Sequence, residues 1–497
     1  MRTEGAGMPA LGGRLARNFS ILFGGNVVGQ LAYFAGLLYV ARVLGPAAFG
    51  VWNLAQVIAL YLLRAGDPGL EVESIRAIAG DHALTRQRLT TVITTRVWIG
   101  AGLYVAILCA VFAGFVPEDA RAATLVFSLS VFPTAILAEW VFEAHQNVSV
   151  VGAARVLKGV LFLALAPLAV TLARPDLMTA AAYVVSLLVP AVIFTAIAFR
   201  RHGVGDVRLA LAEGPSLIAR SWPFGVMSLL TQYCLFLGTV LCGYMITRQE
   251  LGFYTVAHRP VIFVWMYVVV SAHRVLLPTM TAMRQTSLQR AEGFIEQILR
   301  VSTLLIVPVG YAAGVLAPFL LVLLFGPAYA GGADVFRVLL VALVIAISRS
   351  ILEVDLIARH EQHAYLRGVV GMAVVYTVLT PVAIHVDGIV GCAWAAVIAE
   401  AAFFIYLLAT AEPGVRKALP RYVVKPVFAL LPAAALLIFL PSLPIPVSLA
   451  AGLLAYIGVL ILLKGTGSDD VRLVRGIFSR GPAGPHHPSH PLGESGS

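Results

Sequence analysis

The sequence predicts an all-α polytopic membrane protein made of two similar halves, and three observations support this prediction. Hydrophobic residues make up 60% of the 497 residues and charged residues only 12%, a balance that soluble globular domains do not show. Apolar runs long enough to cross about 30 Å of hydrocarbon recur along the whole chain. A helix-turn-helix pattern near the N terminus also recurs in the second half.

The repeat is visible at a constant offset of 202 positions. Gln30, Phe34, Gly36, Gly50 and Ala55 correspond to the identical residues Gln232, Phe236, Gly238, Gly252 and Ala257, and Trp52 corresponds to Tyr254. The matches occupy the same places in two predicted hairpins, each made of a span, a turn and a second span. We therefore interpret them as an internal duplication of a membrane unit.

The apolar runs predict about fourteen transmembrane helices. They cover residues 18–41, 47–65, 90–114, 121–142, 152–172, 179–199, 221–246, 251–277, 301–324, 334–358, 367–386, 388–410, 424–441 and 447–463. Residues that end helices separate them: Gly45-Pro46 lies between the first two spans, and Asp67-Pro68-Gly69 follows the second.

Six spans around each copy of the repeat predict two pseudo-symmetric six-helix bundles, followed by two further helices at the C terminus. The predicted parts are a cytoplasmic N-terminal segment (1–17), a first bundle (18–200), a cytoplasmic inter-bundle linker (201–220), a second bundle (221–411), the last two spans (412–464) and a disordered cytoplasmic tail (465–497). The tail is rich in Gly, Pro and His, a composition that cannot bury a core.

Membrane topology, rather than nucleic-acid binding, explains the net charge of +10. With the N terminus placed inside, the predicted outside loops contain few basic residues: Arg42, Arg121, Arg174, Arg248 and Arg337. Most other lysines and arginines fall in inside loops, so the positive-inside rule predicts that both termini are cytoplasmic. We therefore expect a multi-pass protein of the bacterial cytoplasmic (inner) membrane that has no nucleic-acid partner.

The chain contains none of the sequence motifs of common enzymes or metal sites. It has no P-loop, HExxH, CxxC or GxSxG pattern, and the predicted outside loops are too short for a catalytic centre. All four cysteines lie in apolar spans, where we interpret them as packing residues. We predict a transporter with no catalytic residues, no metal ligands and no cofactor other than a coupling ion.

Charged residues inside the predicted spans are the candidates for function, since each costs about 2.5–3.5 kcal/mol to insert at a span centre. At about 1.5 Å per residue from the outside turns, Arg64, Glu139 and Arg349 reach a similar depth, nearer the cytoplasm. Arg259 and Glu400 fall closer to the midplane. Together these residues predict a cationic chamber that opens toward the inner leaflet.

Each of these charges also has a structural interpretation. Arg349 and Glu353 are four residues apart on one helix and can neutralise each other, while Arg64 is near enough to the interface to extend its charge into water. Glu139 and Glu143 share one helix face and repel unless a cation, a proton or an arginine lies beside them. The candidates for coupling to H⁺ or Na⁺ are Glu139, Glu143, Glu353 and Glu400.

Three amide side chains in apolar spans complete the set of candidates. Asn26 and Gln30 lie among glycines in the first span, and Gln232 occupies the repeat position of Gln30. An amide in hydrocarbon needs a partner on another helix or a wet cavity, and glycines allow helices to approach closely. Both helix packing and cavity lining fit these residues.

Several segments of the chain resemble a known family. Ala41-Arg42-Val43-Leu44-Gly45-Pro46-Ala47-Ala48-Phe49-Gly50-Val51-Trp52, with the later Asp67-Pro68-Gly69-Leu70 and Arg76, resembles the start of polysaccharide-biosynthesis flippases of the Wzx type, in the multidrug/oligosaccharidyl-lipid/polysaccharide exporter superfamily. Glu250-Leu251-Gly252-Phe253-Tyr254-Thr255-Val256-Ala257 resembles the second-half counterpart, and Phe325-Gly326-Pro327-Ala328-Tyr329 the turn after span 9. The resemblance covers residues 15–464, although Thr247-Arg248-Gln249 replaces Gly45-Pro46-Ala47 in the second turn.

The resemblance implies a V-shaped pair of bundles around a central cavity that opens alternately to each side of the membrane. Members of the family move polyprenyl-pyrophosphate-linked oligosaccharides from the inner to the outer leaflet for export of a surface polysaccharide. The residues implied in substrate binding are Arg259, Arg349, Arg64, Gln30, Gln232 and Asn26. The implied partners are the lipid-linked oligosaccharide, membrane lipids, glycosyltransferases and a polysaccharide polymerase.

The free energy of transport does not decide whether a coupling ion drives it. A substrate with two negative charges gains about 4–5 kcal/mol by moving outward across 100 mV, negative inside. Transport without a coupling ion is therefore as consistent with the sequence as transport coupled to H⁺ or Na⁺.

Three other functions fit parts of the same pattern. A cation-coupled multidrug exporter would depend mainly on acidic residues in the cavity, and a lipid II flippase would share the pyrophosphate chemistry. A non-transporting scaffold of a glycan assembly complex would not need the arginines in the spans.

Overall fold

The computed structural model describes residues 8–419, 425–426, 428–432 and 444–463. Within these ranges the chain is helical and contains no strand, which confirms the predicted all-α class. Most of predicted span 13 (424–441), the first residues of the N-terminal segment (1–17) and the predicted tail (465–497) lie outside the described residues.

The first half of the chain forms helices α1 to α8, which we call the first lobe. Their bounds are α1 Met8–Ala65, α2 Leu70–Gly80, α3 Thr85–Phe112, α4 Glu118–Ser128, α5 Val131–Ile136, α6 Glu139–Ala144, α7 Val148–Val170 and α8 Pro175–His202, with a 3₁₀ turn at His82–Leu84. Helices α1, α7 and α8 pack together, and α4 packs against α1 and α8.

The second half forms helices α9 to α14, the second lobe, followed by two further helices. Their bounds are α9 Val207–Met245, α10 Arg248–Thr286, α11 Leu288–Val315, α12 Ala317–Phe325, α13 Ala333–Ala358, α14 Gln362–Thr410, α15 Pro413–Leu419 and α16 Ile445–Leu462, with a 3₁₀ turn at Pro327–Gly332. Helix α13 packs against α10, α11 and α14 at the centre of this lobe.

Eleven helical segments of the described chain are long and apolar enough to cross a membrane. Two of them, α1 and α14, each hold two predicted spans because the helix reverses at a bend. The bends are at Gly45, with φ 74°, and at Asp387-Gly388, where Gly388 has φ 51°. Both values favour glycine, and the described segments together account for every predicted span except span 13.

Successive spans run in opposite directions, so the connections between them lie on two opposite sides of the molecule. We call the side with the Gly45 and Gly388 bends the turn side, and the side with Asp67 and Ser287 the linker side.

Two predicted elements differ from the structure. Span 4, predicted as one helix, is divided into α4, α5 and α6 by a turn at Leu129 and Ser130 and by extended backbone at Leu137 (ψ 116°). Residues 207–220, predicted as linker, are helical and continuous with span 7 in α9.

Glycines bring α1 and α7 into backbone contact. A Cβ atom at Gly25 would lie 2.8 Å from the Cα atom of Gly152, and one at Gly29 or Gly159 would overlap a carbonyl oxygen of the other helix. Small residues at such a crossing allow dispersion and weak polar contacts between main chains. The predicted close helix approach at these glycines is confirmed.

The two lobes cross on the turn side at positions related by the internal repeat. A Cβ atom at Gly50 would lie 2.8 Å from the carbonyl oxygen of Arg248, and one at Gly252 would overlap the carbonyl oxygen of Pro46. The offset of 202 relates the two contacts to each other, since Gly50 corresponds to Gly252 and Pro46 to Arg248, so the crossing has a pseudo-two-fold axis. The Nδ2 atom of Asn53 donates to the Oγ1 atom of Thr255, its own repeat counterpart, at 3.2 Å.

We expect Gly159→Ala to destabilise the first lobe, because the new methyl group would overlap the carbonyl oxygen of Gly29 and force α1 and α7 apart. Overpacking of this kind costs about 1–3 kcal/mol. The thermal midpoint in detergent micelles, followed by size-exclusion chromatography, measures the loss. Gly371→Ala on α14 is the control, since a Cβ atom there meets nothing within 4 Å. Equal midpoints for both variants would contradict the assigned contact.

Candidate functional site

Arg259 lies on α10, two helical turns from the glycine crossing, and its side chain reaches the opposite lobe. Its Nε atom donates to the Oδ1 atom of Asn53 on α1 at 2.9 Å. Its Nη2 atom donates to the same oxygen and to the Oε1 atom of Gln56. The guanidinium therefore joins the second lobe to the first close to the pseudo-two-fold axis.

The charge of Arg259 has no acidic partner in the described part of the chain. Its hydrogen-bond acceptors are the two amide oxygens, and the titratable groups that interact with it are the hydroxyls of Tyr33 and Tyr183. A partly buried cation with neutral partners keeps its positive field. This position between the lobes therefore suits an anion.

Two more cations lie near the same space. Arg64, at the end of α1, is exposed and lies within electrostatic range of Lys158 on α7 and of Tyr183. Tyr183 also lies within range of Arg259. Arg64 and Lys158 thus extend the positive charge from Arg259 toward the linker side.

Glu139 and Glu143, on the short helix α6, share a basic partner. The Nη2 atom of Arg155 on α7 lies 3.6 Å from Glu139 and 3.8 Å from Glu143. From the sequence, we expected a cation, a proton or an arginine beside these two carboxylates, and Arg155 is that arginine. Much of their negative charge is therefore neutralised within the first lobe.

The second lobe encloses a cavity of about 330 Å³ between α9, α10, α13 and α14. Arg349, on α13, forms ion pairs with Glu353 on the same helix and with Glu400 on α14. Its guanidinium also lies over the ring of Phe403, 4.6 Å from the ring centroid. The Nε2 atom of His273 lies 3.4 Å from Glu353.

The predicted charges therefore form three groups. Arg259 joins the lobes, and both it and Arg64 lie within electrostatic range of Tyr183. Glu139 and Glu143 share Arg155 in the first lobe, whereas Arg349, Glu353 and Glu400 form a buried ion-pair cluster inside the second lobe. The predicted i,i+4 pair of Arg349 and Glu353 is present. The structure adds Glu400 as a second partner of Arg349. Glu400 lies on α14, so the spacing of residues along α13 could not predict this contact.

The three predicted amides lie at different places. Asn26 accepts a hydrogen bond from the Tyr267 hydroxyl through its backbone oxygen at 3.2 Å, across the lobe interface. Gln30 is partly buried next to the Gly29 crossing, and Gln232 is buried on α9. The amides that hold Arg259, Asn53 and Gln56, were not among the predicted residues.

Arg155 and Lys158 were also missed, because both were assigned to an inside loop at the start of span 5. Helix α7 begins at Val148, so these residues lie two to three turns within it. The sequence does carry a signal: both lie between Gly152 and Gly159, the glycines that contact α1. Cations at helical spacing within a glycine-rich crossing indicate a buried polar face.

A compact ion-pair cluster holds the linker side of the first lobe. Arg96 on α3, only 4% exposed, contacts Asp67 at 2.6 Å and Glu71 at 2.9 Å. The predicted helix-ending segment Asp67-Pro68-Gly69 is thereby fixed to α3. Gly69 has φ 86° and contacts Ser221 and Phe224 of α9, so the lobes meet on this side as well.

On the turn side, further contacts join the lobes. Arg248 forms a two-pronged ion pair with Asp119 at 2.6 and 3.0 Å. Arg42 donates to the carbonyl oxygen of Leu324 at 3.0 Å, and its repeat counterpart Tyr244 donates to the carbonyl oxygen of Phe115 at 2.9 Å. The space around Arg259 is thus closed on the turn side.

Three solved structures share this fold. Lipid II flippase MurJ, in an inward closed conformation, gives a TM-score of 0.70 at 11% identity over 90% of this chain and 99% of MurJ. An inward-facing multidrug resistance MATE family transporter of the MOP superfamily gives 0.58 at 16% identity, over 78% of this chain and 95% of that one. A MOP superfamily transporter from Pyrococcus furiosus gives 0.55 at 14% identity, over 82% and 94%.

Together, the apolar helical segments and this fold define a multi-pass membrane protein with the architecture of these flippase and exporter structures. The sequence also identifies the family of the protein. The profile of the polysaccharide biosynthesis protein family matches residues 15–284, more than half of the chain. The protein belongs to this family, which confirms the resemblance of the hairpin segments. A search of curated protein sequences finds no significant match.

We expect the double variant Asp67→Asn/Glu71→Gln to lose about 3–5 kcal/mol of stability, because it leaves the buried Arg96 without a counter-charge. Unfolding of the purified protein in mixed micelles measures this loss. Glu73→Gln, on the same helix α2, is the matched control with little expected effect. Adding Arg96→Met to the double variant should recover part of the stability. A double variant as stable as the control would contradict the assigned cluster.

Proposed function

We propose that the protein is a flippase that moves a polyprenyl-pyrophosphate-linked oligosaccharide from the inner to the outer leaflet of the bacterial cytoplasmic membrane, for export of a surface polysaccharide. The observation that carries this proposal is Arg259, whose partners among the described residues are neutral. A cation kept in the membrane without a counter-ion is costly. An anionic substrate would supply the missing charge.

Pyrophosphate suits this position for chemical reasons. The planar guanidinium presents a fork of donors that matches two phosphate oxygens. Arg64 and Lys158 supply further positive charge toward the linker side, which we assign to the cytoplasm because of the positive-inside distribution. Substrate would enter there, with its lipid chain in the bilayer and its sugars between the lobes beside Asn26, Gln30 and Gln232.

We assign Arg349 to coupling rather than to pyrophosphate binding. Its charge is shared by Glu353 and Glu400, so it offers an anion less attraction than Arg259 does. His273 lies beside Glu353, and we assign this pair to coupling by a proton rather than by sodium. Glu139 and Glu143, paired with Arg155, are assigned to orientation of the first-lobe cations.

Among the rival functions, a cationic-drug exporter fits less well. Such an exporter needs a carboxylate whose charge is free, whereas Glu139, Glu143, Glu353 and Glu400 all have arginine partners. A lipid II flippase is the second candidate, favoured by the similarity that covers 99% of MurJ. Glycosyltransferases and a polysaccharide polymerase are the proposed partners of the first function.

We expect Arg259→Ala to reduce surface polysaccharide at least about tenfold, since a charge-assisted hydrogen bond contributes about 1.5–3 kcal/mol. Arg259→Lys should retain part of the activity, because lysine keeps the charge but loses the fork. The measurement is polymer per cell in a deletion strain complemented at equal protein level. Arg337→Ala, on the lobe surface beside Asp334, is the matched control.

Two outcomes of this experiment would change the assignment. Normal polymer with Arg259→Ala would exclude the site. Loss of peptidoglycan rather than surface polysaccharide in the deletion strain would favour the lipid II function.

We expect Glu353→Gln and Glu400→Gln each to remove the response of transport to a pH gradient. Each variant leaves Arg349 one carboxylate partner, so the fold should be retained while a proton-binding group is lost. Flipping of the lipid-linked glycan in proteoliposomes, with voltage and pH gradient imposed separately, measures the response. Glu361→Gln, in an exposed pair with Arg359, should respond like the wild type. Full pH acceleration in both cavity variants would exclude these carboxylates from coupling.

A further inference from the structure

The contact between Arg259 and the first lobe uses the edge of the guanidinium that would bind a phosphate. The Nε and Nη2 atoms form one fork of donors, and both already donate to Asn53, with Nη2 also donating to Gln56. A two-oxygen anion would bind either this fork or the fork of Nη1 and Nη2, and both forks require Nη2. The anion and the amides therefore compete for the Nη2 donors, which already bind Asn53 and Gln56.

Both amides are held in the orientation that points their oxygens at Arg259. The Nε2 atom of Gln56 donates to the Tyr33 hydroxyl at 2.9 Å, and the Nδ2 atom of Asn53 donates to Thr255 at 3.2 Å. Since each amide nitrogen has an acceptor, each amide oxygen is left for the guanidinium. The site is therefore prepared for Arg259 in the absence of an anion.

This contact occurs once, although the surrounding structure is duplicated. At the offset of 202, Asn53 corresponds to Thr255, but Arg259 corresponds to Val57. The first lobe thus supplies the acceptors and the second lobe the cation. A single asymmetric link of this kind joins the lobes at the position where substrate charge would arrive.

Charge decides which acceptor Arg259 prefers. Hydrogen bonds to an ionised acceptor are roughly twice as strong as those between neutral groups. A phosphate oxygen is ionised, whereas the oxygens of Asn53 and Gln56 are neutral. Exchange of the amides for the anion is therefore favourable, and it breaks the hydrogen bonds between the lobes.

We propose that Asn53 and Gln56 form a latch that holds the two lobes together through Arg259 until an anionic substrate displaces them. The latch rests on the proposed function, because it takes the substrate to be a polyprenyl pyrophosphate. Asn53 and Gln56 are thus positioning residues: they act through Arg259 and convert binding of the anion into separation of the lobes.

Distances between spin labels on the two lobes test the latch. Labels at Ala83→Cys and Gln289→Cys, both exposed on the linker side, are introduced into full-length protein in nanodiscs, with Cys109→Ser and Cys234→Ser. The probe is undecaprenyl pyrophosphate, and undecaprenol is the control ligand without phosphate. The matched variant is Tyr244→Phe, which removes a hydrogen bond between the lobes on the turn side without touching Arg259, Asn53 or Gln56.

Four results are expected, one for each protein. In the wild type, the pyrophosphate lengthens the inter-label distance and undecaprenol does not. Asn53→Ala/Gln56→Ala shows the longer distance without any ligand. Asn53→Asp, isosteric but charged, keeps the short distance and needs at least about fivefold more pyrophosphate for the same change. Tyr244→Phe responds like the wild type.

The possible outcomes distinguish a failure of the latch proposal from a failure of the proposed substrate. A short distance in ligand-free Asn53→Ala/Gln56→Ala, or an unchanged pyrophosphate response in Asn53→Asp, would overturn the latch even if the wild type responds. A wild type that ignores pyrophosphate while the ligand-free variants behave as expected would overturn the substrate and support the mechanical link.

Discussion

The cost of a charge in hydrocarbon is the constraint on which the interior of this protein depends. Each ionised side chain within the spans must meet an opposite charge, reach water or wait for a charged ligand. Arg349 meets two carboxylates, and Arg155 meets two others. Arg259 meets amides alone among the described residues. The same physical requirement therefore separates the arginines that have acidic partners from Arg259, which we assign to the substrate under the proposed function.

The two lobes distribute these roles unequally. In the first lobe, Arg64 and Lys158 lie near the space between the lobes. In the second lobe, the charges of Arg349, Glu353 and Glu400 are neutralised around an internal cavity. On the proposed function, the cations that attract the anion come from both lobes, whereas the groups assigned to a coupling ion all lie in the second lobe.

The sequence predicted what depends on local pattern. Apolar length located the spans, and the repeated Gly50 and Gly252 located the hairpins that cross. It did not predict contacts that depend on distant helices. The pairing of Arg349 with Glu400 joins positions 51 residues apart, and Asn53 meets Arg259 across 206. Spacing on one helix carries no information about which helix lies opposite, so these partners required the folded chain.

The glycine crossing has a mechanical consequence. Gly50 and Gly252 meet through main-chain atoms, so we take this crossing as the pivot about which one lobe would rotate against the other in the proposed function. Along α10, Arg259 lies roughly 10 Å from this pivot and the linker-side end of the helix roughly 50 Å, at about 1.5 Å per residue. A rotation that moves Arg259 by about 2 Å would move the far end by about 10 Å. On the proposed mechanism, the crossing would be a pivot with arms of unequal length, so that the loss of the three Arg259 hydrogen bonds would give an opening wide enough for a sugar chain.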